Sequence, residues 1–204
     1  MISPRKMSIS VVKRICHTPV GSALIIAADS KYILRRLEPA DAHSLFHVVR
    51  ASLVELSCFP WCKLDYSIAD ANAWISYSQN AWLNRSEFPL GVFDAASGQV
   101  VGAVGISQIN KPSRMGNLGY WVGTPYIGRG AARYAAKQAA LLGFDELGLT
   151  RLEIVTLTHN LASQRVAEAL GAARECVARN RLYFQGAPHD AVVYSLIPSD
   201  VCPG

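Results

Sequence analysis

The stretch from Gly119 to Ala132, Gly-Tyr-Trp-Val-Gly-Thr-Pro-Tyr-Ile-Gly-Arg-Gly-Ala-Ala, constrains this chain more than any other part of it. Tyr120, Trp121 and Val122 favour a strand, Thr124-Pro125 favours a turn, and the alanine-rich run from Gly130 to Leu142 favours a helix. The glycines Gly128 and Gly130 therefore fall at a helix N-terminus. There the first N–H groups lack intrahelical partners and the helix dipole is positive, so an anion such as a pyrophosphate can dock on the main chain. Ala131 and Ala132 keep the first turn uncrowded, and Arg129 adds a mobile positive charge. A Gly-x-Gly pair is by itself a weak signal. The other phosphate motifs are absent: no Gly-Lys-Ser/Thr follows, and Arg133 stands where a third glycine is expected.

The rest of the chain supplies one domain's core. Its 204 residues, 50% of them hydrophobic, suffice for a single packed unit. A formal net charge of +5 suits an acidic ligand, whereas no basic run with interleaved aromatics points to direct nucleic-acid binding. No stretch approaches the ~20 apolar residues of a membrane span. The five cysteines, Cys16, Cys58, Cys62, Cys176 and Cys202, are odd in number and scattered, which predicts a reducing cytoplasmic setting rather than a disulfide framework. Arg5, Lys6, Lys13 and Arg14 precede an apolar run from Val20 to Ala28 in the manner of a signal peptide, but Pro19 and Gly21 break its start. The preferred reading is a loose extension, with Met7 a candidate start, leading into a hairpin. Its strands are Leu24 to Ala27 and Tyr32 to Leu37, about a turn from Ala27 to Lys31.

Glu38-Pro39-Ala40-Asp41 is a helix-start signature, and Leu45, Val48, Val49, Ser52, Leu53 and Leu56 continue it at helical spacing. His43 and His47 stand four apart, but with no third ligand a surface pair fits better than a metal site. Phe59-Pro60-Trp61-Cys62 ends this helix, and a second runs from Ile68 to Leu83 with Trp74 and Trp82 on it. The tryptophans read as core or, for Trp61, as the wall of a substrate groove. Strands from Phe88 to Asp94 and from Val100 to Ile106 flank the hairpin connection Ala-Ala-Ser-Gly, and a loop with Lys111, Pro112 and Ser113 leads on to Gly119. Gly143-Phe144 and Leu147-Gly148 read as helix stops before a strand from Arg151 to Leu157.

Two motifs, in order, carry a resemblance. Gly-Tyr-Trp-Val-Gly followed by Gly-Arg-Gly-Ala-Ala resembles the coenzyme A loop of the GNAT acyltransferase superfamily, in its RimJ/RimL-type branch. That loop is usually written Gln/Arg-x-x-Gly-x-Gly/Ala; Gly128 and Gly130 match it, while Pro125 stands at the Gln/Arg position. The run from Asn160 to Ala172 resembles the signature Asn-x-x-Ser-x-Arg-Val-x-Glu-x-Leu-Gly-Phe, with Ala172 in place of the phenylalanine. The resemblance spans residues 31–197 as one N-acetyltransferase domain, leaving 1–30 as an extension with a first hairpin strand and 198–204 as a tail. It implies an α/β (α+β) acyl-CoA N-acyltransferase fold, a mixed, mostly antiparallel twisted sheet with helices on both faces. Two adjacent parallel strands, here Tyr120 to Gly123 and Arg151 to Leu157, splay in such folds and admit pantetheine.

The resemblance further implies acetyl-CoA as co-substrate, no metal, and a primary amine as acceptor. Backbone groups at Val122, Gly123 and Thr124 hold the pantetheine and polarise the thioester carbonyl, while Gly128, Arg129, Gly130, Ala131 and Ala132 cradle the pyrophosphate. The departing thiolate needs a proton, and Ser163 matches the donor, with helix capping as its other reading. Asn160 either caps that helix or holds the coenzyme. Glu153 resembles the strand glutamate that serves other N-terminal acetyltransferases as base, or else it is an ion-pair residue; the C-terminal position aligned with another base is Leu182, which cannot serve. Trp61 and Tyr183 are the acceptor-side candidates. A protein α-amine of pKa near 7.7–8.0 is roughly 10–15% neutral at pH 7, against ~0.04% for lysine. A site without a strong base therefore suits a protein N-terminus, as the branch does. The alternatives are a small-molecule amine, such as an antibiotic, a polyamine or an amino acid, and a non-catalytic acyl-CoA sensor. A monomer and a homodimer are both open.

Overall fold

The computed structural model describes residues 25–59 and 61–201. Met7, Cys16, the expected strand start at Leu24, Pro60 and Cys202 lie outside the described residues. Four short turns join neighbouring strands of the sheet. In β1 (Ile25–Ala28) and β2 (Tyr32–Arg35) the hairpin is closed by Asp29, whose carboxylate accepts the N–H groups of Lys31 and Tyr32 at 2.7 Å each. Between β3 (Phe88–Asp94) and β4 (Val100–Asn110), Asp94 accepts the N–H of Ser97 at 2.8 Å, and Gly98 takes the left-handed φ of +69° that the turn needs. Between β4 and β5 (Met115–Val122), Asn110 accepts the N–H of Ser113 at 2.9 Å. The expected loop there is thus a tight turn, and both of its strands run longer than their apolar segments suggest. The fourth turn, at Gln185-Gly186, joins β7 (Ala173–Phe184) to β8 (Ala187–Leu196).

The eight strands form one sheet in the order β1-β2-β3-β4-β5-β6-β8-β7, where β6 is Arg151–Leu157. Every pairing is antiparallel except β5 with β6. Helices cover both faces. On one, α4 (Ala131–Leu141) turns Ala131, Ala135, Ala136, Ala139 and Ala140 onto Leu90, Val104, Ile106, Leu118 and Leu152. Methyl-sized side chains let this helix lie close against the strands. On the other face, α1 (Ala42–Arg50) and α3 (Ile68–Asn84) bury Leu45, Val48, Val49, Ala71 and Ile75 against Phe93 and Val100. Each large aliphatic chain so buried contributes about 1.5–3 kcal/mol. The start of α1 is tied to the sheet by Asp41, which receives both terminal nitrogens of Arg35 at 2.8 Å and caps the chain at Glu38.

Two expectations need correcting, and one strand carries no sequence signal. The helix expected to run through Leu56 breaks at Ala51-Ser52, and Leu53–Leu56 forms a separate short α2. The break is stabilised by the Ser52 hydroxyl, which donates to the Val48 carbonyl at 2.7 Å. Gly143-Phe144 does not stop α4, because the chain continues as a wider π turn over Leu142–Glu146 and ends at Gly148, with φ +66°. The twelve-residue β7 lay unread because most of its side chains are exposed, so no apolar alternation marks it.

Candidate active site

The gap lies where β5 and β6 part. They pair at Met115 with Arg151, Gly116 with Leu152 and Asn117 with Glu153, and no further, although β5 runs on to Val122 and β6 to Leu157. Hydrogen bonding to the other neighbour, β4, decides what faces the gap. Gly123 donates to the Val101 carbonyl at 2.9 Å, so in an alternating antiparallel ladder Val122, opposite Gly102, turns its N–H and C=O the other way, toward β6. Of the three expected backbone contributors, Val122 therefore presents its N–H to the gap. The Gly123 N–H is committed to Val101, and the Thr124 N–H is committed to the buried Ser52 hydroxyl at 2.9 Å. Gly123 is required for another reason: a Cβ there would collide with the Val48 side chain. The Thr124 hydroxyl is buried and has no hydrogen-bond partner among the described residues.

Beyond Thr124 the chain enters the glycine loop. Gly128 (φ +78°) and Gly130 (φ +89°) are left-handed with open space where a Cβ would stand. Gly130 is the N-cap of α4, no side chain caps that end, and Tyr134 is the first residue whose N–H returns to the Gly130 carbonyl, at 3.0 Å. The N–H groups of Ala131, Ala132 and Arg133 thus have no intrahelical partner and stand at the positive end of the helix dipole, with Ala131 itself buried. Tyr32 pins the loop by donating to the Arg129 carbonyl at 2.9 Å, and the exposed Arg129 guanidinium lies 5.6 Å from the Tyr126 ring. These donors, this charge and this clearance fit a pyrophosphate.

Across the gap, helix α5 (Leu161–Ala169) begins at Asn160, whose side-chain oxygen accepts the Ser163 N–H at 3.1 Å. Asn160 is a cap, and its cap sets Ser163. The Ser163 hydroxyl donates to the Tyr120 oxygen at 3.3 Å, and Tyr120 in turn donates to the Ser163 carbonyl at 3.0 Å. Burial pushes the Tyr120 phenol up to about 12. Tyr120 thereby joins Ser163 as a protonated hydroxyl at the gap.

Glu153 sits elsewhere. One of its carboxylate oxygens accepts from Arg151 Nη2 at 2.8 Å and from Nε at 3.2 Å, and Arg151 also grips Glu175 at 2.6 and 2.8 Å. This is the ion-pair arrangement. Arg151 holds the Glu175 carboxyl down at about 2. Because Glu153 is level with Asn117, it stands five residues, or about 16 Å of strand, short of Val122. Tyr183 is 70% exposed near the tip of the β7–β8 hairpin, its hydroxyl on the Gly186 carbonyl at 3.1 Å. The structure does not gather it with Ser163 and Tyr120.

Trp61 packs into an aromatic group on the opposite face of the sheet. Its ring centroid is 5.8 Å from Trp121, 6.3 Å from Trp74, 6.4 Å from Tyr66 and 5.5 Å from Phe59. These rings close over Leu45 and Val49 with Tyr66, leaving between them a hollow no larger than a water molecule. Sequence reasoning missed Trp121 as a site residue, though its alternation with Tyr120 and Val122 already places it on the other face. It also missed Ser52, a polar residue at a position where helical periodicity calls for an apolar one. His43 and His47 are both exposed, and the described residues contain no group of three metal-binding side chains.

Comparison with known proteins agrees with this geometry. Residues 31–173 match the acetyltransferase (GNAT) domain. A Bacillus subtilis protein named "Putative ribosomal N-acetyltransferase YdaF" is 30% identical over 170 residues, covering 80% of this chain and 90% of its own. Among solved structures, one from Vibrio cholerae described as "a putative ribosomal-protein-serine acetyltransferase" superposes with a TM-score of 0.70 at 31% identity, covering 84% of this chain and 96% of the other. The ribosomal-protein acetyltransferase RimL, solved with coenzyme A, shares the fold with a TM-score of 0.76 at 19% identity, covering 85% of this chain and 97% of that one.

Proposed function

The chain belongs to the GNAT N-acetyltransferase family, and from that premise we propose that it transfers acetyl from acetyl-CoA to the N-terminal α-amine of a protein, of the ribosomal-protein kind. One observation carries the reading. The parted β5 and β6 strands open beside the Val122 N–H, and the chain runs on from β5 through a short turn and the glycine loop into the uncapped N-terminus of α4. A long thioester with an anionic end has both of its needs met along one path.

Acetyl-CoA supplies an activated acetyl group. The first-turn N–H groups of Ala131 and Ala132, with Arg129 and the clearance at Gly128 and Gly130, hold its pyrophosphate. Val122 and the unpaired Thr124 hydroxyl face the pantetheine end, where the Val122 N–H receives charge developing on the carbonyl oxygen. Ser163, set by Asn160 and bonded to Tyr120, turns its hydroxyl proton to the departing sulfur and takes up in return the proton that the attacking amine sheds, so that sulfur leaves as the thiol and nitrogen as the amide. With its phenol raised to about 12, Tyr120 keeps its proton throughout the physiological range. Glu153, spent on Arg151, holds the sheet rather than the acceptor's proton. Without a strong base, the acceptor must be an amine already partly neutral, and a protein α-amine meets that condition far better than lysine.

Cys58, Cys62 and Cys176 are free thiols, and among the described residues no helix is long and apolar enough to cross a membrane. The test is thiol release from acetyl-CoA in the presence of different amines. A peptide with a free α-amine should drive release. Release with a polyamine alone would move the assignment to small amines, and tight acetyl-CoA binding with no release for any amine would make the protein a sensor.

A further inference from the structure

We infer that Tyr32 is a positioning residue for the coenzyme: by holding the Arg129 carbonyl it aims the Gly130 N–H at the pyrophosphate and adds a donor to the start of α4. The inference rests on the acetyltransferase reading above and assigns part of its coenzyme affinity to a residue 97 positions from the loop.

Peptide geometry carries the first step. The Arg129–Gly130 peptide is trans, so its C=O and its N–H point in opposite directions. Tyr32 is 7% exposed, belongs to the core on the α4 face, and donates its hydroxyl to the Arg129 carbonyl at 2.9 Å. That carbonyl is thus drawn inward. The Gly130 N–H is turned the other way, on the exposed side of the loop, and has no partner among the described residues. It precedes the N–H groups of Ala131 and Ala132, which lack intrahelical partners, so successive main-chain donors form an anion-binding concavity.

The loop needs an outside anchor. Gly128 and Gly130, left-handed at φ +78° and +89° with open space around them, give it little stiffness of its own. Tyr32, by contrast, is fixed. At the β1–β2 turn the Asp29 carboxylate accepts the Tyr32 N–H at 2.7 Å, and the Asp29 N–H donates to the Tyr32 carbonyl at 2.9 Å. Tyr32 is level with Asp94 of β3, and its ring stands 5.8 Å from that of Tyr134 in the first turn of α4. Burial raises the Tyr32 phenol above its ordinary value, which keeps it a donor throughout the neutral range. The N-terminal hairpin therefore sets which way the Arg129–Gly130 peptide faces.

Tyr32→Phe keeps the ring and removes the donor. With the full chain, the experiment measures calorimetric affinity for acetyl-CoA, kcat at saturating acetyl-CoA with one peptide α-amine, and kcat/KM for S-acetyl-pantetheine, a thioester without the pyrophosphate. Acetyl-CoA affinity should fall about fivefold to tenfold, the scale of one hydrogen bond, while kcat at saturation and kcat/KM for S-acetyl-pantetheine stay unchanged. A residue that merely braces the fold would depress all three together, and that result overturns the inference. So does an unchanged affinity for acetyl-CoA. Should the wild type release no thiol with any amine, the acetyltransferase reading fails, and calorimetry with acetyl-CoA and S-acetyl-pantetheine still decides on Tyr32.

Discussion

The two faces of the sheet are built in different ways. On the α4 face small residues, Gly128, Gly130, Ala131 and Ala132, surround a helix start that no side chain caps. On the α1–α3 face large side chains, Trp61, Trp74 and Trp121, are packed together from three separate segments. Backbone recognition depends on local conformation, so it demands particular residues at fixed spacing and changes little with the ligand's periphery. Recognition by side chains depends on tertiary assembly, and any one of them can change without disturbing the others. One face suits an invariant coenzyme, the other a variable acceptor.

The comparison is broken most severely at Gly130. Gly130→Asp places a negative charge and a side chain against the pyrophosphate site, and acetyl-CoA affinity by calorimetry should fall by about 100-fold or more, equivalent to ~2.7 kcal/mol. Gly98→Asp is the matched control. That glycine has the same left-handed backbone and open surroundings, yet it lies in the β3–β4 turn. It should cost some stability and leave affinity unchanged. Equal losses in the two variants would mean that backbone strain, not the ligand, is being measured.

A second break lies inside the gap. Ser163→Ala removes the hydroxyl but keeps the backbone N–H that Asn160 caps. Single-turnover kcat should drop roughly 100-fold, the range supplied by general acids, with the melting temperature little changed. Asn160→Ala should do the reverse first, costing about 1 kcal/mol of stability as a lost cap. Should Ser163→Ala retain full kcat when chemistry is rate-limiting, Tyr120 becomes the donor, and Tyr120→Phe must then carry the loss.

Ser52 joins the two faces and so sharpens the contrast. Its hydroxyl receives the Thr124 N–H from the end of the coenzyme strand and returns a bond to α1. Ser52→Ala leaves a buried donor without a partner, a cost of about 1–3 kcal/mol. With the strand end released, kcat should fall by more than the KM for acetyl-CoA rises. A variant that loses stability but keeps kcat would confine Ser52 to structure.

The smallest effect belongs to the Arg151 clasp. Glu175, held at about 2 against its ordinary 4.5, contributes stability that is present above pH 4.5 and lost as pH falls toward 2. Glu175 is exposed, so the contribution is below about 1 kcal/mol. Thermal melts between those pH values should show a steeper decline for the wild type than for Arg151→Ala. Glu153→Gln should lower activity by a factor that does not vary with pH; a defect that deepens at low pH would restore Glu153 as a base.

What the sequence discloses follows the same division. Gly128, Gly130 and the Asn160-to-Gly171 run are legible because each position satisfies a local demand, a positive φ or a cap, and their order along the chain places the helix ends correctly. The Arg151–Leu157 strand is legible from its alternation. The break at Ser52 is not, since its hydroxyl serves a partner 72 residues away. Nor is the hollow, which exists only once α1, α3 and β5 are packed, or β7, whose exposure erases the pattern that would announce it. The gap itself lies between: both strands can be read, but that they part beyond Asn117 is a fact of register.

The central claim is that this site acts on α-amines because it brings no strong base to the acceptor. One peptide carrying both a free N-terminus and an internal lysine tests it directly. After incubation with acetyl-CoA, fragmentation mass spectrometry should locate the acetyl group on the N-terminal nitrogen with the lysine unmodified, and the rate should rise with pH through the α-amine's own titration near 7.7–8.0. Acetylation of the lysine, or a rate profile set by a group that titrates well below that range, would contradict the account.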